Sequence, residues 1–281
     1  MWFVVGILLI ICLVCILCIW YASTHFHKVY YTIESDKVQK ETTFVVLADL
    51  HDQIYGENNI KLLEAIESEH PAGILIAGDM LTATKEREKT AEHLVRELAK
   101  KYPVYYGLGN HEAKMKWKQE LGELYEPYMK EIKDSKANIL DNQFVQADGI
   151  RIYGLNIDEK YYKRFKQTPM EPDYIEKTLG KLDQTYFNIL LAHNPMYFEA
   201  YAQCKPDLVL SGHVHGGLVR LPFLGGVIAP NLHLFPKYDG GLFIKNGTTM
   251  ILSRGLGIHS IEFRMWNTAE LVVVNIVPTK E

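Results

Sequence analysis

FVVLADLHD, residues 44–52, begins as an apolar run and breaks abruptly into Asp49, His51 and Asp52. A short β-branched and aromatic run without helical period reads as a strand buried on both faces. The same event recurs along the chain. GILIAGD (73–79) ends in Asp79, PVYYGLGNHE (103–112) in Asn110 and His111, FNILLAHNP (187–195) in His193, and PDLVLSGHVH (206–215) in His213 and His215. Between these strands, helical patterns fall near 57–69, 86–101 and 171–183, and the charged segment 112–136 reads as one long helix. Residues 137–156 read as consecutive strands turning at Asp148–Gly149. The tail, 240–257 and 270–277, reads as β with a hairpin at Asn246–Gly247. Strands alternating with helices predict an α/β fold.

Ligands of open α/β sheets gather outside the carboxyl ends of the strands, where all of these polar residues lie. In extended chain, residues two apart share a face at about 6.5–7 Å. Asp49 and His51 can therefore converge on one ion, and His213 and His215 can serve one ion or two neighbours. A ligand bridging two cations should be a carboxylate, and Asp79 is the candidate, with Gly78 letting backbone pass close by. Two divalent ions would outweigh Asp49, Asp79 and a bridging hydroxide, while Asn110 and neutral imidazoles add no charge. Such a centre stays positive and suits an anionic phosphoester. A nitrogen and oxygen shell without thiolate points to Mn, Fe or Zn.

The motif set DLH, GD, GNHE, AHNP and GHVHGG resembles the calcineurin-like metallophosphoesterase superfamily, in the family's order, over residues 43–277. That resemblance implies a four-layer α-β-β-α sandwich. It implies one metal held by Asp49, His51, Asp79 and His215, and a second by Asp79, Asn110, His193 and His213. It makes His111 a catalytic residue that faces the phosphate and assists the leaving group, and makes a metal-bridging hydroxide the nucleophile. RLPFLGG (220–226), FPKYDGGLF (235–243) and SRGLG (253–257) resemble the bacterial membrane-associated branch, which includes relatives of lipid-A-precursor pyrophosphatases. Arg254 is a candidate for substrate phosphate or for a structural salt bridge, and Asn194 a candidate for substrate contact. The glycines of SGHVHGG are expected to leave room for metals and phosphate. His70 and His93 read as solvated, and His233 and His259 are open.

Trp2–Ala22 is uncharged for 21 residues, with aromatic residues at both ends. That length spans a bilayer, and the absence of a basic start favours an uncleaved anchor over a signal peptide. The expected organisation is an anchor at 1–22, a tether at 23–42, the metallophosphoesterase domain at 43–277 and a tail at 278–281. Lys28, Lys37 and Lys40 behind the span lean the catalytic domain towards the cytoplasm. Cys204 is the only cysteine outside the span, so no disulfide can form within the domain. A formal net charge of −4 argues against nucleic acid as a partner, and no obligate protein partner is evident. Residues 218–238 are apolar for a loop and read as either a lid over the core or a membrane-contacting surface. The expected function is hydrolysis of a phosphodiester, pyrophosphate or phosphomonoester, on a lipid-linked substrate. The alternatives are a phosphatase of soluble nucleotides or phosphoproteins, or a metal-binding scaffold without turnover.

Overall fold

The structure is a computed structural model that describes residues 2–84, 89–163, 167–221, 223–228, 234–258 and 263–279. His233 and His259 lie outside them. One sheet runs in the order β1 (Phe26–Ser35), β14 (Ala269–Pro278), β2 (Thr42–Leu47), β3 (Gly73–Ala77), β4 (Val104–Gly107) and β5 (Asn138–Leu140). The second runs β12 (Gly241–Lys245), β13 (Thr248–Leu252), β9 (Leu208–Ser211), β8 (Phe187–Ala192), β7 (Ile150–Leu155) and β6 (Gln143–Ala147). A small hairpin, β10 (Val219–Leu221) and β11 (Gly225–Ile228), stands apart from both.

Alternation along each strand sorts the side chains into three cores. Phe44, Val46, Leu75 and Tyr105 meet Ile152, Ile189, Leu191 and Leu210 between the two sheets. Val45, Leu47, Ile74, Ile76 and Tyr106 point the other way, onto α2 (Ile60–Glu67), α3 (Thr90–Ala99), α4 (Asn110–Trp117) and α5 (Gly122–Asp134). Tyr153, Leu190, Val209 and Met250 pack on α6 (Tyr174–Leu179) and α7 (Phe198–Gln203). The result is the expected four-layer α-β-β-α sandwich. The parallel strands β2, β3, β4, β8 and β9 are buried on both faces, which is why they read as unbroken apolar runs.

Two readings change. The charged segment is not one helix: α4 ends at Trp117, Lys118 turns extended (φ −93°, ψ 115°), and α5 restarts at Gly122. Residues 23–42 are not a tether. They contain β1, a ten-residue strand parallel to β14 in register from Phe26↔Ala269 to Ser35↔Pro278. Its alternate Tyr31 and Ile33 pack into the core between the sheets. Edge strands mix charge with apolar residues, so FHKVYYTIES carries no clean strand signature.

The helix ahead of it, α1 (Trp2–Thr24), is long and apolar enough to cross a membrane and buries only Ala22. A chain starting at residue 25 should therefore fold. A chain starting at residue 41 loses Tyr31, Ile33 and Val38 from the core, at least about 3 kcal/mol, and bares the β14 edge. Thermal unfolding and size-exclusion chromatography of the two truncations check this; equal melting temperatures would contradict it.

Candidate metal centre

The cluster sits where both sheets end. Asp49 and His51 follow β2, Asp79 follows β3, Asn110 and His111 open α4 after β4, His193 follows β8, and His213 and His215 follow β9. Ligand atoms of three overlapping sets lie within 4.8 Å of one another: Asp49, His51 and His215; His51, Asp79 and His111; Asp79, His193 and His213. Asp49, His51, Asp79, His213 and His215 all have φ between +49° and +76°. Left-handed backbone at non-glycine residues costs about 1–2 kcal/mol each. Five together mark strain concentrated at a functional site.

The histidines are oriented from behind. His193 Nδ1 donates to Ala77 O at 2.7 Å, His51 Nδ1 lies 3.3 Å from Leu81 O, and His215 Nδ1 lies 3.3 Å from Gly257 O. Each contact directs Nε2 inward, the arrangement that metal-binding imidazoles use. His51 Nε2 and His215 Nε2 then face each other at 3.2 Å. Two lone pairs so placed repel unless a cation lies between them. His193 Nε2 is 3.1 Å from Asp79 Oδ2 and 3.7 Å from Asp49 Oδ1.

The two carboxylates titrate apart. Burial, with the neighbouring Asp79 charge, pushes Asp49 up to about 7 against the pull of His193. Burial also opposes the Asp79 charge, but His193, His111 and His51 hold that carboxyl well below its ordinary range. Among the described residues, the buried Asn110 Oδ1 has no hydrogen-bond partner. Inward Nε2 atoms, two buried carboxylates, an orphaned amide oxygen and no thiolate together fit a divalent metal.

Glycine makes this convergence sterically feasible. Gly78 (φ +92°) faces Gly109, and a Cβ on it would lie 2.6 Å from Gly109 Cα. A Cβ on Gly109 would stand 2.2 Å from Asp79 Oδ1. In SGHVHGG the glycines make room for protein instead of metal and phosphate. Gly212 accommodates Asp49, Gly216 accommodates Asn267 and Arg254, and Gly217 accommodates Ile228 O.

Residues 42–217 match the calcineurin-like phosphoesterase family. The chain belongs to that family. It is 28% identical over 250 residues to an uncharacterized metallophosphoesterase of Helicobacter pylori, covering 88% of this chain and 62% of that one. It is 27% identical over 251 residues to an uncharacterized metallophosphoesterase of Aquifex aeolicus, covering 88% and 90%. It is 26% identical over 242 residues to a transmembrane protein with metallophosphoesterase domain of Bos taurus, covering 81% and 51%. The chain thus spans about six-tenths of the Helicobacter relative's length.

Within this phosphoesterase domain, both proposed substrate contacts are committed to the fold. Asn194 Oδ1 accepts from Met196 N at 3.1 Å, capping the turn at Pro195–Tyr197, and its Nδ2 donates to Tyr161 O at 3.1 Å. Arg254 takes the salt-bridge alternative, with Nε 2.7 Å from Glu270 Oε2 and its backbone N donating to Oε1.

Three further residues shape the cluster. Glu112 accepts from the backbone N of Asp79, Met80 and Gly109 and from Tyr106 Oη, at 2.8–3.0 Å. It ties the Asp79 turn to the Asn110 turn. Its place in the first turn of α4 was the available signal, because a glutamate there caps orphan donors. Asn267 Nδ2 donates to His215 O and Gly217 O, both at 2.6 Å. The buried Arg264 guanidinium donates to Arg254 O, Gly255 O and Gly257 O. Burial pulls Arg264 down to about 10. Asn267 and Arg264 belong to no motif and could not be read from spacing.

Proposed function

We propose that the protein is a membrane-anchored, dinuclear-metal phosphoester hydrolase. Asp49, His51, Asp79 and His215 would hold one ion, and Asp79, Asn110, His193 and His213 the other, as Mn, Fe or Zn. Bound there, two divalent ions would polarise phosphoryl oxygens and acidify water. The observation that carries the reading is the inward convergence of imidazole Nε2 atoms on two buried carboxylates.

His111 differs from the other histidines. Its Nδ1 accepts from Ala83 N at 2.9 Å, so the neutral ring carries its proton on Nε2. That proton is available to a phosphoryl oxygen or to the departing oxygen. His111 N also donates to Asp79 Oδ1 at 2.7 Å, which fixes the turn beneath the ring. His111→Ala should lower turnover by about 10²–10⁴-fold while leaving metal content unchanged. Loss of metal in that variant would make His111 a ligand instead.

Several features support a lipid-linked substrate. A groove of about 350 Å³ separates the end of α1, at Trp20 and Tyr21, from Trp266 and Thr268. The β10 strand bridges Met265 beside that loop. Phe223, Leu224, Leu234, Phe235 and Trp266 are all exposed, and Phe223 wholly so. A lid packed on the core would bury such residues. With α1 in a bilayer, Trp20 and Tyr21 would sit at its interface, and this apolar rim would meet the same layer. A cytoplasmic domain is part of this proposal, and it rests on the lean given by Lys28, Lys37 and Lys40 behind the span. Turnover of one phosphoester presented on vesicles and as a soluble short-chain analogue tests the reading, together with vesicle binding by the chain from residue 25 onward. Preference for the soluble ester, with no residual vesicle affinity, would favour a soluble nucleotide or phosphoprotein substrate.

A further inference from the structure

Lys114 lies one helical turn beyond His111 on α4, and its Nζ is 3.3 Å from His111 Nε2. The side chain is half-buried, and no carboxylate lies within ion-pairing distance of it among the described residues. Other lysines on nearby helices behave differently: Lys100, Lys101 and Lys130 reach out to Glu97, Glu67 and Asp134. Lys114 instead turns inward to His111, whose Nε2–H is itself a donor. The two groups therefore do not hydrogen-bond to each other, and both face a position that an acceptor oxygen would fill. The His111 ring joins the metal cluster through His51 and Asp79. Burial pulls Lys114 below the ordinary lysine value, with the Asp79 charge opposing. A partly desolvated cation without a counter-ion is stabilised by an arriving anion.

The charge of the substrate decides which anion. Counted with its carboxylates and a hydroxide, a dinuclear centre keeps one net positive charge, which a phosphodiester matches. A terminal phosphoryl group brings a second negative charge, and the Lys114 ammonium stands beside His111 where that group would lie. Resting on the hydrolase reading above, we propose that Lys114 is a substrate-binding residue. It holds a non-bridging oxygen of a dianionic phosphoryl group and selects terminal phosphates over internal diesters.

The test uses the full-length, manganese-loaded protein and its Lys114→Gln and Lys114→Arg variants, each checked for metal content and melting temperature. Calorimetry measures binding of inorganic phosphate, and turnover is measured on p-nitrophenyl phosphate and on bis-p-nitrophenyl phosphate. Lys114→Gln should weaken phosphate binding about 10–100-fold, the worth of one charge-assisted hydrogen bond. It should lower kcat/KM on the monoester by a similar factor and on the diester by less than about threefold. Lys114→Arg should restore most of the loss. Unchanged phosphate affinity, or equal losses on both esters, would overturn the assignment. Should the parent protein hydrolyse neither ester yet bind phosphate in a Lys114-dependent way, the hydrolase reading fails and the Lys114 site stands.

Discussion

Asp79→Asn should abolish catalysis, lowering turnover on the order of 10³-fold or more, and strip metal from the protein. Asp79 is the residue on which the cluster converges. Its Oδ2 lies 3.1 Å from His193 Nε2 and 3.9 Å from His51 Nε2, and its Oδ1 accepts from His111 N. Asparagine keeps the shape and that backbone hydrogen bond but removes the charge that would be shared between two cations. Circular dichroism should show the fold intact, because three packed cores lie outside the change. Elemental analysis should find metal far below the parent level. Retained metal and turnover would show that another group bridges.

Glu112→Ala should be the most destabilising substitution at the site. The buried carboxylate accepts three backbone N–H groups and the Tyr106 hydroxyl, which in turn meets Tyr128 Oη at 2.5 Å. Burial and the Asp79 charge raise its proton affinity, so the network is held by geometry more than by favourable charge. Alanine leaves three buried backbone donors without an acceptor, while the Tyr106 hydroxyl can still turn to Tyr128, and each orphan costs about 1–3 kcal/mol. Partial relaxation brings the expected total to about 3–5 kcal/mol. Chemical denaturation of the metal-free protein checks this without interference from metal binding. A loss below about 1 kcal/mol would mean that water replaces the carboxylate. Glu112→Gln should fall between, since one amide oxygen can serve only part of the set.

The strands that position the cluster were legible because they are buried on both faces and end in residues that a core rejects. Asp49, Asp79 and His193 stand out for that reason, and the four-layer sandwich was implied by the family that their motifs resemble. β1 was not legible: as a half-buried edge strand it mixes Lys28, Glu34 and tyrosines, and its partner β14 lies more than two hundred residues away. The break at Lys118 was hidden by charged residues that suit helix and loop alike. Arg254 and Asn194 sit beside motif residues in sequence, yet their side chains serve Glu270 and the Pro195 turn, which only tertiary contacts reveal. Arg264 shows the same limit from the other side. It is a buried cation that organises carbonyls around His215 from a segment with no motif at all.

The central claim, metal-dependent phosphoester hydrolysis at this cluster, is tested most directly by one titration. Full-length protein is stripped with chelator, and manganese is restored stepwise while bound metal and turnover of bis-p-nitrophenyl phosphate and p-nitrophenyl phosphate are followed together. The stripped protein should show no turnover, and recovery should saturate at two ions per chain. Metal that binds at the cluster without restoring turnover of either ester would contradict it and leave a metal-binding scaffold.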